Sequence, residues 1–269
     1  MAYVLFQQLC ARALGERSLG CRYRASDGNA ADMPPLIPSA LRSRTASYEC
    51  RKQERMRVTN PIKPEYLIKD IPEFRDRYGD TTHTIYDKSA PFLSEPMQEF
   101  VRLSPFCVVS SQDAEGHTDI SPRGDPAGFV EILTPKFLLI PDRPGNQRFD
   151  TFRNILVNPP VSVLFMIPGV FDTLRVNGRG FATRDPDLLA KCAIKDRVPP
   201  VGLLIEIEEA YAHCSKAIRR AGIWDQETQI DRKLAPSLGE MMSAHQSYSQ
   251  EVLDDMEGRI ERDIRKNMY

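Results

Sequence analysis

The sequence predicts a mainly β, α+β protein: a small antiparallel barrel with helices at its periphery. Short apolar runs recur between residues 106 and 212, about six or seven of them, each the length of a strand. Turn signals separate them, among them "DAEG" at 113–116, Thr134-Pro135 and the Pro/Gly stretch at 141–145. Few helical stretches lie between them, which favours a closed antiparallel sheet over a parallel βαβ sheet.

Taken in order, "PEFRDRYG" (72–79) reads as a short helix ended by Gly79. In "APFLSEPMQEFVRL" (90–103), Leu93, Met97, Phe100 and Val101 fall on one helical face. Strands are expected at 106–112 and 117–122 around the first turn, then at 128–133 and 136–141 on either side of Thr134-Pro135. "DTFRNILVN" (150–158) has helical spacing and leads to a strand at 161–168. Residues 172–185 form one long strand or a hairpin, with a bend softened by glycine. A helix with proline in its first turn follows at 186–194. In "PVGLLIEIEEAYA" (200–212), Leu204, Glu206 and Glu208 alternate with Leu203, Ile205 and Ile207, a strand with one wet face. The charged stretch 237–267 reads as peripheral helix. The expected division is a barrel domain at 57–240 and a helical tail at 241–269.

Residues 1–56 differ from the rest. They are rich in Arg, Ala and Ser, hold Cys10, Cys21 and Cys50, and show no sustained period. A disordered tail, or a non-native extension of the frame with Met56 as the true start, is the expected reading. A transit peptide and a folded element are the alternatives.

Among 269 residues, 41% are apolar and 27% charged, with a net charge of -1, an ordinary composition for a packed domain. Such a balance argues against bulk nucleic-acid binding, so any positive field is local. No apolar run reaches the ~20 residues of a membrane span. The cysteines form no C-x-x-C pair and the histidines no H-x-x-x-H pair, so no metal is expected, the adjacent His213-Cys214 included. Cys107 and Cys192 sit in apolar segments as buried thiols, which suits a reducing, cytoplasmic setting.

The chemistry concentrates in "LLIPDRPGNQRFDTFRNILVNPP" (138–160). Arg143, Arg148 and Arg153 stand in or beside the loop that opens a helix, and Arg123 joins them from an earlier strand end. A guanidinium fork matches phosphate oxygens. Gly145 permits close backbone approach, Asn146 and Thr151 add neutral donors, and a helix start adds unpaired amides. These features suit a phosphomonoester, although no P-loop or G-x-G-x-x-G is present. The residues alone favour the other reading, which pairs Asp142 and Asp150 with these arginines in surface ion pairs, with Asp150 as a helix cap. Three further segments share the ambiguity. "ISPRGDPAGF" (120–129) carries Ser121, Arg123 and Asp125, or is only a turn with an Arg–Asp pair. "LRVNGRGF" (174–181) puts Arg175, Asn177 and Arg179 on one strand face, or is only a polar exterior. "HCSKAIRRAGIWD" (213–225) holds Lys216, Arg219, Arg220 and Trp224, the only tryptophan, or is an exposed helix anchored by that ring.

In their order, "SPFCVVSSQDAEGHTDISPRGDPAGFV", the 138–160 segment, "LRVNGRG" and "HCSKAIRRAGIWD" resemble the pyridoxamine 5′-phosphate oxidase-like family of FMN-binding split barrels, in its FMN-dependent bacterial branch. The resemblance covers roughly residues 62–240. It implies a six-stranded split barrel in a homodimer, with FMN at both ends of the interface. Arg148, Asn146 and Thr151 match the family's phosphate-binding turn and helix start. Ser121 and Arg123 match the strand opposite, and Ile140, Pro141 and Asp142 would run along the ring or ribityl chain. Lys216, Arg219 and Trp224 are expected to reach the flavin held chiefly by the other chain. Oxidases of vitamin B6 carry R-x-V-L-L-K and Ser-x-Lys where this chain has "SPRGDPAGF" and "GNQRFDT", and their C-terminal substrate signature is missing. The departure puts vitamin B6 oxidation in doubt and leaves FMN binding intact.

The implied function is an FMN-dependent oxidoreductase that passes hydride or electrons between flavin and a small substrate or reduced nicotinamide, NAD(P)H. No side chain is an obvious acid or base. A non-catalytic flavin- or haem-type storage or sensing protein of the same fold, and a non-flavin β-barrel interaction module, are the alternatives. Neither nucleic acid nor membrane is expected as a partner.

Overall fold

The computed structural model describes residues 60–79, 88–145, 148–243 and 248–266, in two units that divide near residue 82. Residues 1–56 lie outside the described residues, as does Asn146.

In the smaller unit, helix α1 (Ile71–Tyr78) begins where Asp70 accepts a hydrogen bond from the Glu73 amide at 2.9 Å. Such a cap satisfies one of the amides that a helix start leaves unpaired. Gly79 ends the helix, as the sequence predicts, at φ 77°, a left-handed value that favours glycine.

The larger unit opens with helix α2 (Glu95–Leu103). Leu93 was expected on this helix but precedes it, because Pro96 occupies the first turn and fixes the start. Its side chain still joins the core beside Val101, Met97 and Phe100. Seven strands follow: β1 (Phe106–Gln112), β2 (Thr118–Gly124), β3 (Glu131–Thr134), β4 (Phe137–Pro141), β5 (Pro160–Met166), β6 (Thr173–Thr183) and β7 (Gly202–His213). All pair antiparallel in the order β2-β1-β5-β6-β7-β4-β3. The antiparallel split-barrel architecture is the expected one, with seven strands against the six the resemblance implies. β3 is shorter than expected, since Gly128 turns at φ 89° and Phe129 and Val130 enter the core before the ladder begins.

Period-two burial places the core. Cys107, Val109, Val163, Phe165, Val176 and Ile205 are at most 1% exposed, while alternate neighbours are partly wet. Each large apolar side chain buried this way contributes roughly 1.5–3 kcal/mol. β7 shows the wet face expected of it: Ile205 and Ile207 are buried, and Glu208 is exposed.

β6 is one long strand, not a hairpin. It bends at a register shift between Asn177 and Gly178 opposite β7. A Cβ at Gly178 would collide with the Glu206 carbonyl oxygen, so the bulge requires glycine. Helix α3 (Asp150–Val157) packs over β1, β2 and β6. Helix α4 (Pro186–Ala190) stops four residues earlier than expected, and helix α5 (Lys216–Ala221) follows β7. Helices α6 (Leu238–Ser243) and α7 (Gln250–Lys266) pack against each other.

Candidate functional site

β2 alternates so that Asp119, Ser121 and Arg123 share a half-buried face, whereas Ile120 opposite is 72% exposed. Register sets Arg123 across from Cys107, Ser121 from Val109 and Asp119 from Ser111. Helix α3 closes over this row. Thr151 Oγ1 donates to Asp119 Oδ2 at 3.3 Å, and Asn154 Nδ2 donates to the buried Ser111 Oγ at 3.0 Å. The Arg123 guanidinium lies 5.9 Å from the Phe152 ring centre.

The ends of β2 and β4 meet at the barrel mouth through two reciprocal ion pairs. Arg123 Nη1 donates to Asp142 Oδ1 at 2.8 Å, and Arg143 Nε donates to Asp125 Oδ2 at 2.6 Å. β2 is one edge of the sheet and β4 lies next to the other, so charge pairs join regions that no backbone ladder joins. Both pairs are largely buried, with the Asp125 side chain 2% exposed. Asp142 also fixes the loop, donating its amide to the Val201 carbonyl at 3.0 Å.

Arg123 keeps one loose end: its Nε is buried and has no hydrogen-bond partner. A buried unsatisfied donor costs roughly 1–3 kcal/mol. Burial also pushes the Cys107 thiol up to about 12, with the Arg123 charge pulling the other way.

Arg148 stands nearer water, its side chain 64% exposed, and its Nε donates to Asp150 Oδ2 at 2.6 Å. Arg153 approaches the same carboxylate at 3.9 Å. The alternative reading of Asp150 as a helix cap fails: the cap position is Phe149, in the left-handed region at φ 59°, without a side-chain cap bond. Asp150 occupies the first helical position and serves the arginines instead. The ion-paired reading of the loop therefore describes the protein without a ligand.

Of the remaining expected residues, Ile140 turns its side chain into the core at 1% exposure. Pro141 pairs with Gly202 at the strand end. The segment carrying Lys216, Arg219 and Trp224 is seated on the β5–β6 turn of its own chain. Trp224 Nε1 donates to the Val170 carbonyl at 2.9 Å, and the Arg219 guanidinium sits 4.2 Å from the Phe171 ring centre. Trp224 thus acts as an anchor within the chain. Sequence reasoning overlooked Asp119, although period two already placed it beside Ser121 and Arg123. Phe152, under the Arg123 guanidinium, carried no comparable signal.

Residues 93–214 match the family model of pyridoxamine 5′-phosphate oxidase. This stretch is a domain of that family. Among solved structures, the oxidase-family domain is similar to HupZ of Group A Streptococcus, at 16% identity over 45% of this chain and 93% of that one, with a TM-score of 0.37. It is also similar to an FMN-binding protein of Syntrophomonas wolfei, at 10% identity over 44% of this chain and 88% of that one, with a TM-score of 0.34. A third is a general stress protein 26 relative of Clostridium acetobutylicum, of the pyridoxinephosphate oxidase family, at 14% identity over 44% and 85%, with a TM-score of 0.33. No curated protein matches the sequence. Among the described residues, no helix is long and apolar enough to cross a membrane.

Proposed function

We propose that the oxidase-family domain binds FMN at the barrel mouth and works as an FMN-dependent oxidoreductase on a small substrate or a reduced nicotinamide. The observation that carries this reading is Arg123, half-buried, with one donor satisfied by Asp142 and a second left without an acceptor. A phosphate oxygen is a fitting acceptor, since a charge-assisted bond there removes the cost of the orphan.

The donor set fits such a ligand. Arg123 and Ser121 approach from β2, with Arg148 and Thr151 from the start of α3. Asp119, Asp142 and Asp150 now occupy several of these donors. Binding a dianion therefore means exchanging carboxylate partners for phosphate oxygens at already ordered arginines. Phe152 backs Arg123 and limits its swing, and the exposed Arg148 is placed to follow the ligand in. Bound flavin would supply the hydride or electron transfer. The chain's own residues bind, orient and exclude water. In this reading the domain is a homodimer, and the α5–Trp224 segment of one chain approaches the flavin of the other. The free thiols Cys107, Cys192 and Cys214 suit a cytoplasmic setting.

The test compares two ligands. Arg148→Ala is expected to weaken FMN by roughly ten- to a hundredfold, as loss of one charge-assisted bond requires, and to leave riboflavin nearly unchanged. Equal losses for both would remove the phosphate assignment. Reduction of the bound flavin by NADH or NADPH in steady state separates turnover from storage.

A further inference from the structure

Beside the paired arginines, a cavity of about 230 Å³ opens between the start of the β4–α3 loop and the segment before β7. Asp142, Arg143 and Pro144 form one wall, and Ile194, Arg197 and Val198 the other, closed by two prolines. We propose that this cavity is the substrate subsite, and that it takes a small organic anion with an apolar body, recognised by Arg197. The substrate role rests on the flavin reading above; the anion site does not.

Three observations support the assignment. First, the cavity adjoins the candidate phosphate site through a shared residue. Asp142 lines the cavity and also accepts from Arg123. A molecule held there lies next to whatever Arg123 binds.

Second, the far wall is built on a tight turn. Ile194 and Arg197 exchange backbone hydrogen bonds at 3.1 and 2.9 Å, closing a two-residue turn. Both central residues, Lys195 at φ 50° and Asp196 at φ 61°, are left-handed without being glycine. Such a turn ordinarily takes Asn-Gly. Here it fixes the position of Arg197, and Pro199-Pro200 stiffen the chain beyond it. A preformed wall binds a small ligand with little ordering cost.

Third, the lining has the chemistry of an apolar anion site. Arg143, Arg197 and Asp142 are its charged lining residues, two cations to one acid. The Asp125 carboxylate holds Arg143 in the wall. Ile194, Val198 and three prolines supply the rest of the surface. The volume suits a ring or short chain with one acidic group and lies below the ~300–1,000 Å³ of drug-sized ligand sites.

The experiment titrates the full-length chain by calorimetry with benzoate, and with benzyl alcohol as the neutral counterpart, both with and without FMN. Benzoate is expected to bind at least roughly tenfold more tightly than the alcohol, as a charge-assisted contact implies. Arg197→Gln is expected to remove that preference while FMN affinity stays within about twofold. Val198→Trp, at a half-exposed wall position, is expected to block benzoate by filling the cavity and keeps the test open if the arginine variant fails to fold. Equal binding of benzoate and benzyl alcohol overturns the proposal. So does benzoate affinity unchanged in both variants. A chain that takes FMN but not benzoate refutes this subsite alone. A chain that takes benzoate at Arg197 but no FMN keeps the anion site and removes the flavin reading.

Discussion

Asp125→Asn isolates what the reciprocal ion pairs contribute. The Asp125 carboxylate is 2% exposed and its partner Arg143 17%. Amidation removes the negative charge and leaves the guanidinium nearly dry. Breaking a fully buried pair this way costs ~3–5 kcal/mol, and partial access of Arg143 to water lowers that to about 2–4 kcal/mol. For a domain of this size, 1 kcal/mol corresponds to a shift of roughly 2–4 °C. The melting temperature should therefore fall by roughly 5–15 °C, read by circular dichroism. Arg148→Ala is the internal control. Its pair with Asp150 is 64% exposed on the arginine side, so the change should cost ~0–1 kcal/mol and move the midpoint by at most about 3 °C. Replacing both partners, Asp125→Leu with Arg143→Met, should recover much of the loss, because the guanidinium is removed together with its acid. An Asp125→Asn chain that melts with the parent would refute the view that these pairs close the barrel.

Gly178→Ala should destabilise far more than an ordinary surface change, since its new methyl meets the Glu206 carbonyl; soluble yield and the thermal midpoint measure it. Asn154→Ala should cost about 1–3 kcal/mol in urea unfolding, because Ser111 loses its buried partner. Cys107 and Cys192, whose thiols burial pushes up to about 12 and about 11, should resist iodoacetamide at neutral pH in the native state, whereas exposed Cys214 reacts; peptide mapping reads all three. Asp113 is held below its ordinary 3.8, chiefly by its hydrogen bond to His117, so what it adds to the hairpin is present above that value and lost as pH falls below it. An NMR titration in which Asp113 titrates at or above the ordinary value would remove that interaction.

Much of the barrel was legible because period-two alternation is a local property. β1, β5 and β7 follow from which neighbours are apolar, and Gly79 ends α1 where its sequence says. Leu93 misled because a 3.6-residue spacing can continue past a helix start that proline has fixed. Residues 172–185 read as either one long strand or a hairpin because a glycine can bend a strand or end it; Gly178 bends this one and does not end it. The site was legible as a composition of arginines, not as a pairing. Arg123 finds its acid 19 residues away and Arg143 finds its own 18 away, in the opposite direction. Several carboxylates compete locally, and only closure of the sheet selects among them. The α5–Trp224 segment shows the same limit: its charges suggested a ligand, while its ring is used by the Val170 carbonyl.

If the barrel mouth is the FMN site we propose, its ion pairs also select the guest. A barrel closed by backbone hydrogen bonds must lose bonds to open. One closed by guanidinium–carboxylate contacts can swap one anionic partner for another. An uncharged visitor offers nothing in that exchange, so in the proposed reading Asp142 would be a resident competitor that an anionic ligand displaces from Arg123. Affinity would then be lower than a count of donors suggests, because all but the contact to Arg123 Nε replace an old one. The return would be selectivity by charge.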